Sequence, residues 1–136
     1  MVDFGEYIET LNIVDAVDVA YAALAVRKYA EKHGFSANSR YMISSAVSEL
    51  SNNIIDHADR GTISWRLLKV DSKVGIEVVV EDSGPGIKDI GKAMQEGYST
   101  GGTLGLGLPG ARRLMDYFEI DTVIEGGTKI TVRKWI

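Results

Sequence analysis

The 136-residue sequence contains no cysteine and only two histidines, His33 and His57. Without cysteine the chain has no disulfides, no thiolate metal site and no thiol nucleophile, and two distant histidines make a weak case for zinc. No apolar run approaches the roughly 20 residues that a membrane helix needs, and the N-terminus lacks the pattern of a signal peptide. We therefore expect a cytoplasmic protein with no membrane partner.

The balance of charge argues weakly against a nucleic-acid partner. Lysine and arginine number 15 against 19 acidic residues, which gives a net charge of −4, whereas surfaces that bind nucleic acid are usually basic. Length and composition are those of one globular domain with a hydrophobic core, so we assign residues 1–136 to a single domain.

Apolar periodicity predicts the helices. Residues 19–33 form one with Asp18 as its N-cap, and residues 39–57 form another that is capped by Ser36 or Asn38. A third is predicted over residues 109–117, and a short one near residues 87–94.

Strands are predicted over residues 4–14, 62–70, 74–81, 118–124 and 128–135. The second and third strands are joined by Asp71-Ser72-Lys73 and the last two by Glu125-Gly126-Gly127, so both pairs read as hairpins. This order predicts an α+β fold in which helices cover one face of a mixed, largely antiparallel sheet.

Both prolines and nine of the fifteen glycines lie between Glu81 and Met115. Glycine at this density weakens a fold, because each glycine loses additional chain entropy when it becomes ordered. A ligand that the backbone approaches closely, and a loop that moves around it, would explain the cost.

Two groups of polar residues could carry chemistry. Glu49 and Asn53 are four residues apart and so project from one face of the second helix, although such pairs are more often an exposed polar face. Asp82 ends a strand and precedes Gly84 and Gly86, where it could accept a hydrogen bond from an exocyclic amine or simply form a turn.

The glycine stretch ends in a possible phosphate site. Gly105-Leu106-Gly107 leads directly into the amphipathic segment that begins at Leu108. The free N–H groups and the dipole of a helix start favour an anion. A glycine pair is a weak signal alone, and the chain has no Walker-type phosphate loop.

Taken in order, these motifs resemble the GHKL superfamily of ATP-binding proteins, which includes gyrase, MutL and histidine kinases. Within it the chain is similar to the small serine/threonine kinases of the anti-sigma-factor type, and most of all to the RsbT-type switch kinases of bacterial stressosomes. The resemblance covers nearly the full length and is carried by Ser48-Glu49-Leu50, residues 81–87, Gly97-Tyr98-Ser99-Thr100, residues 107–110 and residues 113–116.

The resemblance implies the two-layer α/β sandwich of the Bergerat type and transfer of the terminal phosphoryl group of ATP to a protein serine or threonine. Expected partners are STAS-domain proteins and the regulatory domain of a PPM-type phosphatase, and a homodimer is possible.

The resemblance also implies roles for individual residues. Glu49 would be the general base and Asn53 the Mg²⁺ ligand. Asp82 would bind the adenine amino group with support from Thr128, while Gly84 and Gly86 would leave room for the ring. Backbone N–H groups of Gly105, Leu106, Gly107 and Leu108 would bind the phosphates, and residues 95–104 would form a mobile lid.

One feature departs from much of the superfamily, because residues 95–110 contain no lysine or arginine. Mg²⁺ and backbone N–H groups, or a cation from a partner, would then stabilise the negative charge at the terminal phosphate. Three alternatives remain: an anti-sigma factor of the same fold, a nucleotide-dependent binding module in which Glu49 is idle, and a detached ATPase domain of a histidine kinase.

Overall fold

The computed structural model describes residues 2–87, 94 and 107–136. Within these residues a layer of helices packs on one face of a six-stranded sheet. The elements in chain order are β1 (Val2–Phe4), β2 (Glu9–Ile13), α1 (Ala16–Lys32), α2 (Ala37–Ala58), β3 (Gly61–Val70), β4 (Lys73–Asp82), α3 (Gly107–Leu114), β5 (Tyr117–Val123) and β6 (Gly127–Trp135).

The sheet confirms the predicted α+β architecture. Its strand order is β1-β3-β4-β6-β5, with β2 also paired to β3, and every pairing among the described strands is antiparallel. Both predicted hairpins are present as β3–β4 and β5–β6. The β4–β6 pairing joins the two hairpins into one sheet.

The first strand differs from the prediction because it is interrupted. Phe4 pairs with Leu68 and Glu9 with Trp65, so residues 5–8 lie opposite only residues 66–67. The chain bulges by two residues there, while Gly5 N and Ile8 N still donate to carbonyls of β3. The imperfect alternation of the sequence reflects this bulge.

The start of α1 corrects a second prediction. The N-cap is Asp15, and Asp18 is the third helical residue, whose carboxylate accepts from the backbone N–H of Asp15. The two aspartates thus form a reciprocal capping box. The sequence spacing places the cap at Asp18, which is one turn too late. Of the two caps that the sequence allows for α2, Ser36 or Asn38, the structure has Ser36.

The third helix begins and ends earlier than predicted. It ends at Leu114, because Asp116 is recruited by the neighbouring strand: its N–H donates to Arg133 O and its carboxylate accepts from Trp135 N. Tyr117 accordingly starts β5. The short helix predicted near residues 87–94 lies, apart from its two end residues, outside the described residues.

The core lies between the helices and one face of the sheet. Alternate residues of the central strands point toward the helices, and cross-strand partners share that face. Fully or nearly fully buried members of the core include Val26, Ile43, Leu50, Ile63, Trp65, Ile76, Val78, Ile130 and Val132.

Candidate functional site

Three polar side chains lie side by side where the helix-facing side of the sheet ends. Asp82 of β4 pairs with Thr128 of β6, and Thr128 pairs with Thr122 of β5. Asp82 continues the helix-facing series of Val78 and Val80. Register therefore brings Asp82 into one row with two threonines that lie 40 and 46 positions later in the chain, and the row includes the predicted pair Asp82 and Thr128.

The carboxylate of Asp82 is already oriented by its own loop. Its Oδ1 accepts a hydrogen bond of 2.8 Å from Gly84 N, which forms a turn of the kind that aspartate favours. An ionised carboxylate accepts through both oxygens, so Oδ2 can still accept an N–H from a ligand. The turn and the binding interpretations of Asp82 are therefore compatible.

Two glycines let the loop after β4 pack closely against its neighbours. Gly86 has φ +78°, and a Cβ there would lie 2.3 Å from Val123 O. A Cβ on Gly84 would lie 2.6 Å from the Cβ of Ala58, the last residue of α2. Close packing thus explains why both positions are glycine, and the loop lies against the end of α2.

Thr122 belongs to the site but was missed in the sequence analysis. Its Oγ1 lies 2.9 Å from Thr128 Oγ1, accepts from Ile87 N at 2.9 Å and donates to Gly127 O at 3.3 Å. The signal was present in the predicted hairpin, since two threonines that flank a short turn face each other when the strands pair.

Glu49 and Asn53 lie on α2, with Glu49 exposed and Asn53 half-buried. Asn53 precedes Ala58 by five positions, or about 8 Å along the helix axis, and Ala58 lies against the loop at Gly84. Asn53 therefore lies toward the same end of the fold as Asp82. Glu49 lies one turn further away and is open to solvent.

The third helix begins at Gly107, within the Gly-x-Gly motif and two residues before its predicted start at residue 109. Gly107 is the first residue of α3, and Leu108 is buried in the core, where α3 packs against α2. The first turn of α3 contains no acidic residue, and its leading backbone N–H groups have no acceptor within the helix. Gly105, Leu106 and the predicted lid lie outside the described residues.

The described helices include none that is long and apolar enough to cross a membrane.

The sequence profile of the histidine kinase-like ATPase domain matches residues 14–134, which is most of the chain. The chain belongs to this family. As a histidine kinase-like ATPase domain it is a GHKL protein, which confirms the resemblance seen in the motifs.

Two relatives narrow the activity of this ATPase domain. It is 40% identical to the serine/threonine-protein kinase RsbT of Bacillus subtilis, over 93% of this chain and 95% of that one. It is also 36% identical to an anti-sigma F factor of Caldanaerobacter subterraneus subsp. tengcongensis, over 69% of this chain and 68% of the relative. The protein is an ATP-using serine/threonine kinase similar to RsbT.

Solved structures agree on the fold. A Mycobacterium tuberculosis protein with RsbU and RsbW domains matches with a TM-score of 0.63 at 18% identity, over 93% of this chain and 32% of that one. The mycobacterial sensor histidine kinase MprB matches with a TM-score of 0.57 at 17% identity, over 93% of this chain and 96% of its own. At such identities the likeness concerns the fold alone.

Proposed function

We propose that this single-domain kinase uses Mg²⁺ and ATP to phosphorylate a serine or threonine of a small STAS-domain protein in a cytoplasmic partner switch. When it is released from that protein, it would bind and activate a PPM-type phosphatase. The near full-length similarity to RsbT supports this function. The observation that carries it in the structure is the row formed by Asp82, Thr128 and Thr122 beside the end of α2.

The base would bind at this row. Asp82 Oδ2 would accept from the 6-amino group of adenine, because Oδ1 is occupied by Gly84 N. Thr128 is only 7% exposed and would support the base with its hydroxyl. These are acceptor and hydroxyl groups of the kind that fix the orientation of a flat ligand in a pocket.

The phosphates would bind at the start of α3. The N–H groups of Gly107 and Leu108 belong to the first turn of a helix, where the dipole also favours an anion. Gly105 and Leu106 would extend this set of donors. The burial of Leu108 against α2 would hold the helix start in place.

The residues present fit a Mg²⁺ ion that is bound mainly by water and by the phosphates of ATP. Asn53 would supply one amide oxygen, and Mg²⁺ commonly keeps waters and phosphate oxygens as its remaining ligands. When bound, the ion would neutralise charge on the terminal phosphate. No basic residue lies between residues 95 and 110, so a partner could supply further positive charge.

Glu49 would accept the proton of the incoming hydroxyl. Its exposure suits a group that must reach a serine or threonine on the surface of another protein. Phosphoryl transfer depends chiefly on positioning and charge stabilisation, so Glu49 would contribute by orienting the hydroxyl as well as by taking its proton.

A mutation at Glu49 tests this proposal. Glu49→Ala should leave ATP affinity nearly unchanged, because the base and phosphate contacts remain. Transfer to the STAS protein should fall by about 10²- to 10⁴-fold, the usual range for a lost general base. Calorimetry measures ATP binding, and mass spectrometry of the partner measures transfer and identifies the phosphorylated residue.

Glu31→Ala is the control, since it removes an exposed glutamate from α1 and should change neither quantity. Asn53→Ala should instead lose Mg²⁺-dependent binding and transfer together. Wild-type transfer rates in the Glu49→Ala protein would refute the general-base role. Partner binding that needs ATP but never produces phosphorylation would favour the non-enzymatic binding module.

The similarity to an anti-sigma F factor favours one second candidate, an anti-sigma factor of the same fold. The two candidates differ in what the ATP-bound protein captures. A pull-down that retains a sigma factor supports the anti-sigma function, whereas one that retains and phosphorylates a STAS protein supports the switch kinase.

A further inference from the structure

The hydroxyl of Thr122 joins three segments around the proposed base site. It contacts Ile87 in the loop that follows β4, Gly127 at the point where the turn between β5 and β6 ends and β6 begins, and the hydroxyl of Thr128. A second tie, from Glu125 N to Pro85 O, holds the same loop against the same turn. The position of Thr128 relative to Asp82 therefore depends on a cluster with Thr122 at its centre.

One allocation of protons satisfies all three contacts of Thr122. The amide N–H of Ile87 can only donate, and the carbonyl oxygen of Gly127 can only accept. The single proton of Thr122 is therefore directed to Gly127, in the longest of the three contacts at 3.3 Å. Its two lone pairs accept from Ile87 and from Thr128.

This allocation fixes the polarity of Thr128. A threonine hydroxyl has one proton and two lone pairs, and Thr128 uses its proton on Thr122. What remains on Thr128 is acceptor capacity. Asp82, its partner across the strands, is also an acceptor when ionised.

We infer that Thr122 is a specificity-determining residue for the nucleotide base, acting by holding the hydroxyl of Thr128 as an acceptor. This inference rests on the proposed function, in which Asp82 and Thr128 face the base. Two acceptors favour the 6-amino group of adenine, which presents N–H donors. A 6-oxo purine presents an acceptor at that position and would leave buried polar groups unpaired, which is costly.

The test compares ADP with inosine diphosphate, IDP, in which a 6-oxo group replaces the 6-amino group and N1 carries a proton. Thr122→Val removes the hydroxyl but keeps the β-branched shape and the strand preference. Thr122→Ser keeps the hydroxyl and is the matched control. Both nucleotides are diphosphates and lack the terminal phosphoryl group that the kinase would transfer. Calorimetry therefore measures binding alone.

The wild type and Thr122→Ser should both prefer ADP to IDP. In Thr122→Val the hydroxyl of Thr128 is free to rotate and donate to the 6-oxo group, so the ratio of affinities should fall by about tenfold or more. If Thr122 were only structural, both affinities would fall by the same factor and the ratio would be kept. An unchanged ratio in Thr122→Val overturns the inference, as does a ratio in Thr122→Ser that falls equally.

Thermal unfolding of each variant shows whether it is folded, and Thr122→Ala replaces Thr122→Val if the latter is not. The failure of the proposed function looks different, because the wild type would then bind neither ADP nor ATP. A wild type that binds both ADP and IDP equally well contradicts the inference but leaves the kinase function standing.

Discussion

Asp82 has one carboxylate oxygen that shapes the fold and another to which we assign the proposed ligand contact. One carboxylate oxygen accepts from Gly84 N and so shapes the loop after β4, while the other can accept from a base. The turn composition of Asp82-Ser83-Gly84-Pro85-Gly86 and a ligand-binding role are therefore not alternatives at this residue. The loop turn is what orients the carboxylate.

Asp82→Asn separates the two roles. Asparagine keeps Oδ1 for Gly84 N–H, so the fold should be retained, but it can present an N–H₂ donor where the adenine amine also donates. ATP binding measured by calorimetry should weaken by about 1–3 kcal/mol, the cost of an unsatisfied polar group. Asp121→Asn, at an exposed position of β5, is the control. Wild-type affinity in Asp82→Asn would leave Asp82 with a turn role only.

At the scale of the elements, side-chain hydrogen bonds at its first turn stabilise the helix α1. Asp15 Oδ1 accepts from Asp18 N at 3.1 Å, and Asp18 Oδ2 accepts from Asp15 N at 3.2 Å and from Val14 N at 2.9 Å. These bonds satisfy N–H groups that a helix start otherwise leaves unpaired. They hold the chain as it passes from the edge strand β2 into the helix layer.

Replacing Asp15 by alanine should destabilise the protein by about 1 kcal/mol, as is typical for a lost N-cap. Urea unfolding at equilibrium measures the free energy. Asp15→Ser, which retains a capping oxygen, should recover most of the loss. Equal losses in the alanine and serine variants would show that the cap does not contribute in this way.

At the scale of the whole molecule, the described helices cover one face of the sheet, and an ionic cluster lies on the other. Glu77 is 2% exposed, and its two carboxylate oxygens accept from Arg66 and from Arg133, each at 2.9 Å. The guanidinium of Arg66 lies over Phe4 and Tyr7, and that of Arg133 over Tyr117. Aromatic rings and guanidinium groups thus cover a buried charge on the face of the sheet opposite the described helices.

The cluster also changes the acidity of Tyr7. Burial raises the pKa of the Tyr7 phenol above its ordinary value of 10.0, and the negative charge of Glu77 adds to the effect, while Arg66 opposes it. The phenol donates a hydrogen bond to Glu77 Oε1. The cluster joins strands β1, β3, β4, β5 and β6 with the segment between β1 and β2, so it spans nearly the whole sheet.

Glu77→Ala should destabilise the protein by roughly 2–4 kcal/mol, because it leaves two arginines without their shared partner. The side chains of both arginines remain 20% exposed, so water can replace part of the lost interaction. Urea unfolding measures the change, and Glu6→Ala, which removes an exposed carboxylate, should have little effect. A Glu77→Ala protein as stable as the wild type would mean that the cluster contributes no net stability.

The sequence by itself determined the features that are local or periodic. The spacing of apolar residues located α1 and α2, and turn residues located both hairpins. The Asp-x-Gly-x-Gly and Gly-x-Gly motifs, with the Glu49 and Asn53 pair, led to the correct family. Each of these signals is contained within a few turns of chain, where backbone geometry alone decides which residues share a face.

Only the tertiary structure decided which distant residues meet. Thr122 joined the site through the β5–β6 register, and Glu77 became buried between Arg66 and Arg133 through pairings of β4 with β3 and β6. The bulge that splits the first strand and the early end of α3 likewise depend on hydrogen bonds from another strand. The physical reason is that a hydrogen-bond partner or an ion pair is chosen by position in space, which sheet pairing sets and local sequence does not.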